Sequence, residues 1–179
     1  MTLDTREFRR TMGLFATGVT VITTRIGDTV HGMTANSLTS VSLDPLLILV
    51  CIDRRARMGD IINEAGRFAI NILSEDQELI SRHFAGRPDD TLPVIFTELD
   101  GVPILSGTLA SMVCTIDRVL DGGDHIIVIG QVDSFTRPVS SELPLLYFAG
   151  RYRGVRSENQ PDPIAPYVDF FYHNLIPFE

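Results

Sequence analysis

The sequence predicts a mainly β protein, a closed or partly closed barrel of six or so mostly antiparallel strands with three short helices at its margins. Three observations carry that prediction. Runs of β-branched and apolar residues recur along the chain, among them Val19-Thr20-Val21-Ile22-Thr23-Thr24 and the LLILVCI run from Leu46 to Ile52. Two long strand-like segments, TLASMVCTIDRVL and HIIVIGQVDSF, flank the turn Asp121-Gly122-Gly123-Asp124. Helical periodicity is confined to three short stretches, and no repeat, low-complexity tract or linker divides the chain.

In chain order, Asp4 with Glu7 forms a capping-box pattern ahead of an amphipathic helix that carries Phe8, Met12 and Phe15 on one face. The run from Val19 to Thr24 is the first strand, and Gly27-Asp28 turns it back towards Val30 as a hairpin. The small polar stretch TANSLTSVSL, Thr34 to Leu43, leads into Leu46 to Ile52. The unbroken apolar character of that run predicts a central strand covered on both faces. Met58, Ile61, Ile62 and Ala65 share a helical face that ends at Gly66. Phe68 to Leu73 is another strand. Ser74 with Gln77 then supplies a second capping box, for a helix that carries Leu79, Ile80 and Phe84 and ends by Gly86 and Pro88. After the long hairpin, a short strand from Leu145 to Phe148 precedes Gly150-Arg151-Tyr152-Arg153. Residues 1–155 read as one domain. Residues 156–179 read as a proline-spaced extension ending in YVDFFYHNLIPF, expected to pack on the barrel or on a partner copy.

Size and composition agree with a single core. The 179 residues are 44% apolar and 21% charged, and a chain this long buries roughly 70% of its unfolded surface without a disulfide framework or structural metal. The formal charge of −8, with only short basic runs, excludes the clustered positive face that nucleic acid requires. The longest apolar run has seven residues, far below the roughly 18 of a membrane span, so no membrane partner is expected. The N-terminus has no apolar stretch of signal-peptide length. Cys51 and Cys114 lie in apolar strand-like runs and read as reduced, buried thiols, which fits a cytoplasmic location.

Several enzyme classes are excluded by their missing motifs. There is no GxSxG elbow, Walker loop, GxGxxG turn or HExxH pair, and the four histidines and two cysteines are too dispersed for a local zinc signature. Three polar constellations remain. Thr34-Ala35-Asn36-Ser37 with Ser40 and Ser42 offers hydroxyls and backbone N–H groups to a phosphate or an amide-rich ring, although taken alone it reads first as a turn-rich connection. Asp53-Arg54-Arg55-Ala56-Arg57, between strand and helix, suits an anion, and equally reads as a solvated charge run. Gly123-Asp124-His125 places an imidazole at a strand opening, as ligand donor or as surface turn residue.

The joint order HGMTANSLTSVSLDPLLILVCIDR, FAINIL, HFAG, GDH and PLLYFAGRYR resembles the flavin reductase-like family with the FMN-binding split-barrel fold. More narrowly, it is similar to the short-chain reductase components of two-component flavin-dependent monooxygenases. The resemblance runs from about Phe8 to Arg153. It implies a homodimer that binds FMN or FAD at its interface, accepts a hydride from NADH or NADPH, and supplies reduced flavin to a partner monooxygenase. It also implies that Thr34, Ala35, Asn36 and Ser37 contact the flavin ring and ribityl chain and that Ser40 faces the phosphate end. Cys51, Ile52 and Asp53 would border the ring through backbone groups, with Arg54 and Arg55 nearby and Phe84 closing one side. His125 would stand beside the nicotinamide, and Tyr152 would line the same cavity. The family often has small hydroxyl residues where this chain has Arg57 and Met58, and a second proline where it has Leu46. Arg57 would then serve the phosphate by charge. Hydride transfer asks the protein for little acid–base or nucleophilic chemistry, because the cofactors carry it, so the missing triad and metal motifs accord with this activity. Two other readings share the fold: a flavin sensor or store without nicotinamide turnover, and an interaction domain without ligand.

Overall fold

The computed structural model describes residues 3–138 and 142–155. Helix α1 (Thr5–Met12) and the short β1 (Thr17–Gly18) precede a β2 (Thr20–Ile26) to β3 (Thr29–Ala35) hairpin, then β4 (Thr39–Leu43) and β5 (Leu46–Asp53). Helix α2 (Arg57–Ala65), β6 (Arg67–Ile72) and α3 (Glu78–Phe84) follow. The remainder is a β7 (Phe96–Leu99) to β8 (Val102–Leu105) hairpin, the long β9 (Ala110–Gly122) to β10 (His125–Thr136) hairpin, and the small β11 (Leu146–Phe148) to β12 (Arg151–Arg153) hairpin.

Seven strands form one antiparallel sheet in the order β3-β2-β6-β9-β10-β5-β4. Its two edges, β3 and β4, are joined by only three residues, 36–38. A flat sheet of that width spans roughly 29 Å at about 4.8 Å per strand, whereas the connection reaches roughly 14 Å at most. The sheet must therefore curl until its edges meet, and a loop rather than a hydrogen-bonded ladder closes the barrel. The predicted split-barrel architecture is thus met, with twelve strands among the described residues in place of six or so because the seven of the barrel sheet are joined by the β7–β8 hairpin and by β1 with the β11–β12 hairpin.

The barrel interior holds Ile22, Ile48, Val50, Ile52, Phe68, Ile70, Cys114 and Val128, and Met58 and Ile62 of α2 plug one end. Phe68 lies over Gly130, where a Cβ would stand 2.7 Å from the ring. The outer face of β2 and β6 is covered too. Val19, Val21 and Leu73 pack against Leu105, Leu145 and the α3 residues Ile80 and Phe84, while Ala69 and Val113 pack under Val102 and Ile104. Buried on both faces, β2 satisfies its threonines on backbone carbonyls: Thr20 on Ala35, Thr23 on Pro103 and Thr24 on Arg67.

Several local expectations change. The run Leu46 to Ile52 is not central, because β5 lies next to the edge strand β4. Its Ile48, Val50 and Ile52 face the core, but Leu47, Leu49 and Cys51 point to a half-exposed outer face. Cys51 is accordingly half-buried, while Cys114 is fully buried. The apolar side of α1 is uncovered: Phe8, Met12 and Phe15 are 62%, 52% and 71% exposed. Asp4 caps α1 by accepting from the Arg6 N–H, but Glu7 turns to Arg10 instead of completing a box. The box of Ser74 and Gln77 forms, on a single 3-10 turn, Glu75–Gln77, just ahead of α3. Arg151-Tyr152-Arg153, expected to follow the last strand, is itself a strand. No helix among the described residues is long and apolar enough to cross a membrane. The extension 156–179 lies outside the described residues.

Candidate active site

The loop that closes the barrel is held by its own small side chains. The Ser37 hydroxyl accepts the Cys51 N–H at 2.9 Å and donates to the Cys51 carbonyl at 3.1 Å, so it occupies the ladder position just before the first β4–β5 pair, Thr39 with Leu49. Asn36 donates to the Thr17 hydroxyl at 3.1 Å, and Thr34 donates to the Ser81 carbonyl of α3 at 2.6 Å. Ala35 is buried. Asn36 and Ser37 open onto a cavity of about 760 Å³ whose other walls include Phe8, Met12, Phe15, Thr17 and Tyr147. That volume lies within the range of small-molecule sites, and an apolar wall with a few polar groups on one side suits a flat heteroaromatic ring.

At the far end of β5, Asp53 stands opposite His125, the first residue of β10. The turn Gly123-Asp124 brings them together, with Gly123 in the left-handed region at φ 75°. The Asp53 carboxylate accepts from the Arg55 backbone and from its guanidinium at 2.9, 3.1 and 2.7 Å, and these bonds hold it well below the usual carboxylate range. Arg54 donates to the Gly123 carbonyl at 3.0 Å and pairs with Asp121, tying β5 to the hairpin tip. His125 Nδ1 lies 2.7 Å from the Asp124 carboxylate, whose pKa the imidazole lowers, and the ring is 40% exposed. Its other ring nitrogen makes no hydrogen bond among the described residues.

Arg57 opens α2 and has no ion pair among the described residues. Its charge acts together with burial to lower the pKa of His31, burial being the larger cause. The Phe84 ring lies flat over Gly32, where an added Cβ would meet it at 2.5 Å, and it also packs edge-on to His83 and Phe96. Tyr152 hydrogen-bonds the Ser81 hydroxyl at 2.8 Å.

The structure therefore joins Thr34, Asn36, Ser37 and Cys51 around one loop, and Asp53, Arg54, Arg55 and His125 around one hairpin tip, with β5 linking the two. Phe84 and Tyr152 reach the loop through α3. Ile52 is fully buried, so only its backbone can border a ligand, and Met58 is a core residue. Ser40 lies apart, on a second groove with Ser42, Leu43 and Leu46. Thr17 and Ser81 had no sequence signal, and Tyr147 stood within PLLYFAGRYR without being singled out. Phe8, Met12 and Phe15 had one, a helical stripe, which reads as a buried face and here walls the cavity.

Comparison with known proteins finds relatives along most of the chain. The profile of the flavin reductase like domain matches residues 12–156. An NADH-dependent flavin reductase from Rhodococcus sp. is 41% identical over 160 residues, covering 88% of this chain and 90% of that protein. The reductase subunit HsaB of a flavin-dependent monooxygenase from Mycobacterium tuberculosis is 39% identical over 160 residues, covering 87% of this chain and 85% of its own. Among solved structures, flavin reductase PheA2 superposes with a TM-score of 0.82 at 43% identity, covering 87% of this chain and all of that one. With the match spanning nearly the whole barrel, the chain belongs to the flavin reductase like family.

Proposed function

We propose that this protein is an NADH-dependent flavin reductase that transfers a hydride to FMN or FAD and supplies reduced flavin to a separate monooxygenase component. The observation that carries this reading is the 41% identity, over 88% of the chain, to an NADH-dependent flavin reductase. The cavity beside Asn36 and Ser37 supports it physically, being large enough for the tricyclic ring and apolar where the ring is apolar. Flavin, when bound, supplies the hydride-accepting chemistry. The chain's own residues bind and orient: the Thr34–Ser37 loop holds the ring edge, and His125 aligns the nicotinamide so that donor and acceptor atoms meet at roughly 3–3.5 Å. Of the three arginines at this end, Arg54 and Arg55 are engaged by Asp121 and Asp53, which leaves Arg57 to meet the flavin phosphate. Arg57→Ala should weaken FMN binding about tenfold and leave riboflavin nearly unchanged. Equal losses for the two flavins would exclude that role. The activity itself is tested by following NADH and NADPH absorbance with FMN, FAD and riboflavin in turn; no nucleotide oxidation with any flavin would refute the reading.

A homodimer belongs to the same proposal. On the outer face of β5 and β10, Leu47, Leu49 and Cys51 alternate with the cross-strand neighbours Ile129 and Ile127, and Leu120 of β9 extends the patch. A strand that reads as covered on both faces but is covered on one has a missing layer, and a second copy supplies it. Such a layer lies beside Asp53 and His125, which share that face. Light scattering across a dilution series should report twice the chain mass.

A further inference from the structure

The middle of α3 places Ser81, fully buried, between the last hairpin and the loop that closes the barrel. A hydroxyl buried there costs free energy unless it is bonded. It bonds the Tyr152 hydroxyl of β12 at 2.8 Å, while the Ser81 carbonyl accepts the Thr34 hydroxyl of β3 at 2.6 Å. That carbonyl is open because α3 ends there. The Ala85 N–H, which a continuing α-helix would direct to Ser81, turns to the Arg82 carbonyl at 3.2 Å, and a side chain from another strand takes its place. Tyr152 is itself gripped. The Arg82 guanidinium, tied to Glu78 at 2.8 Å, lies 5.0 Å over its ring, and Tyr147 meets the ring edge-on at 5.4 Å. Tyr147 is the β11 residue opposite Tyr152, and on its other side it pairs with Thr17 of β1, whose hydroxyl accepts from Asn36. The small sheet of β1, β11 and β12 thus grips the loop at two points, directly through Thr17 on Asn36 and through Tyr152 and Ser81 on Thr34.

We infer that Ser81 is a positioning residue for the flavin ring: its hydroxyl, on Tyr152, fixes the seat of α3, and its carbonyl fixes Thr34 at the start of the loop that meets the ring. The other contacts of α3 on the barrel are apolar, from Ile80 and Phe84, and apolar contact is non-directional. The hydroxyl bond is what sets the helix to one height. A shift of α3 reaches the site undiminished, because only three residues join β3 to β4 and leave no slack behind Thr34. Binding groups need to be held within roughly 0.5 Å, so a bond one layer behind the loop bears on affinity without touching the ligand. The inference rests on the flavin reductase reading for the identity of the ring.

The test uses the full chain, with melting temperature as the check on folding. Ser81→Ala and Tyr152→Phe remove the same bond from its two ends. Each should raise the dissociation constants of riboflavin, FMN and FAD alike about threefold to tenfold, read by quenching of flavin fluorescence, because the loop meets the ring the three share. The Michaelis constant for NADH at saturating flavin should hold. The double variant should match either single one, and Ser81→Ala should add nothing in a Thr34→Val background, since it acts through Thr34. Thr23→Val, which loosens the barrel away from the loop, should leave all three flavin constants unchanged, so that lost stability alone does not imitate the effect. Unchanged flavin binding in Ser81→Ala and Tyr152→Phe, or losses that multiply with Thr34→Val, overturn the positioning role and leave the reductase reading intact. Ser81-dependent flavin binding in a protein that oxidises neither NADH nor NADPH would overturn the reductase reading and leave the positioning role standing. A wild type that binds no flavin would overturn both.

Discussion

In the proposed mechanism His125 only aligns the nicotinamide, and the cofactors carry the chemistry. Asp124 holds one ring nitrogen at 2.7 Å, which orients the imidazole and leaves the other nitrogen to donate or accept. One neutral hydrogen bond is worth about 0.5–1.5 kcal/mol, so His125→Ala should raise the Michaelis constant for NADH roughly threefold to tenfold and leave flavin affinity nearly unchanged. A thousandfold loss of turnover at saturating NADH would assign it a chemical role. Cys114 is the opposite case, a thiol silenced by its surroundings. Burial, reinforced by the charge of Asp133, pushes it up to about 12. Because thiolate is the reactive form, Ellman's reagent should leave Cys114 unlabelled at pH 8 in the native protein and label it in concentrated guanidinium. The same shift fixes a sign for stability. The unfolded thiol loses its proton first, so the contribution is complete below about pH 9 and is lost as the pH rises towards 12. Cys114→Ala should flatten that alkaline limb of the melting curve.

Among the elements, β6 depends on one buried amide. Asn71 Nδ2 donates to the Val21 carbonyl and the Thr23 hydroxyl, and its Oδ1 accepts from the Leu105 N–H and the Ser111 hydroxyl, all four at 2.9 Å. It therefore ties β2, β6, β8 and β9 together on the side where β7–β8 covers the barrel. Asn71→Leu leaves those partners without water, and each orphan costs about 1–3 kcal/mol. A loss of at least about 3 kcal/mol is expected in urea unfolding, a large share of the roughly 5–15 kcal/mol of a typical domain. Thr23→Val, which removes one arm of Asn71 together with the hydroxyl's bond to the Pro103 carbonyl, should cost about 2 kcal/mol. A loss below that for Asn71→Leu would show that water enters to satisfy the freed groups.

For the whole molecule the deciding feature is the uncovered apolar surface. Leu49 and Ile129 are register partners at the centre of the half-exposed β5–β10 face, which also carries Asp53 and His125 towards one end. A charge there need not disturb the barrel, whose core lies on the other face. Leu49→Glu should yield a folded monomer by light scattering, with activity reduced more than tenfold because the partner's side of the flavin pocket is gone. A monomeric variant with full activity would separate the active site from the dimer.

Most of the barrel was legible in the amino-acid sequence because its signals are local. Strand runs, the turns at Gly27 and Gly123, the Gly66 cap and the Ser74 box act within a few residues of themselves, and each forms. The apolar run Leu46 to Ile52 and the stripe Phe8, Met12, Phe15 were legible as surfaces in need of burial, but not as to what would cover them. Apolar periodicity measures the demand for a covering layer, whereas strand order and chain closure determine which layer arrives. Only the tertiary structure set β5 beside an edge strand and turned α1 into a cavity wall. Only it drew Ser37 onto Cys51, because that proximity arises when a three-residue loop forces a seven-stranded sheet to curl.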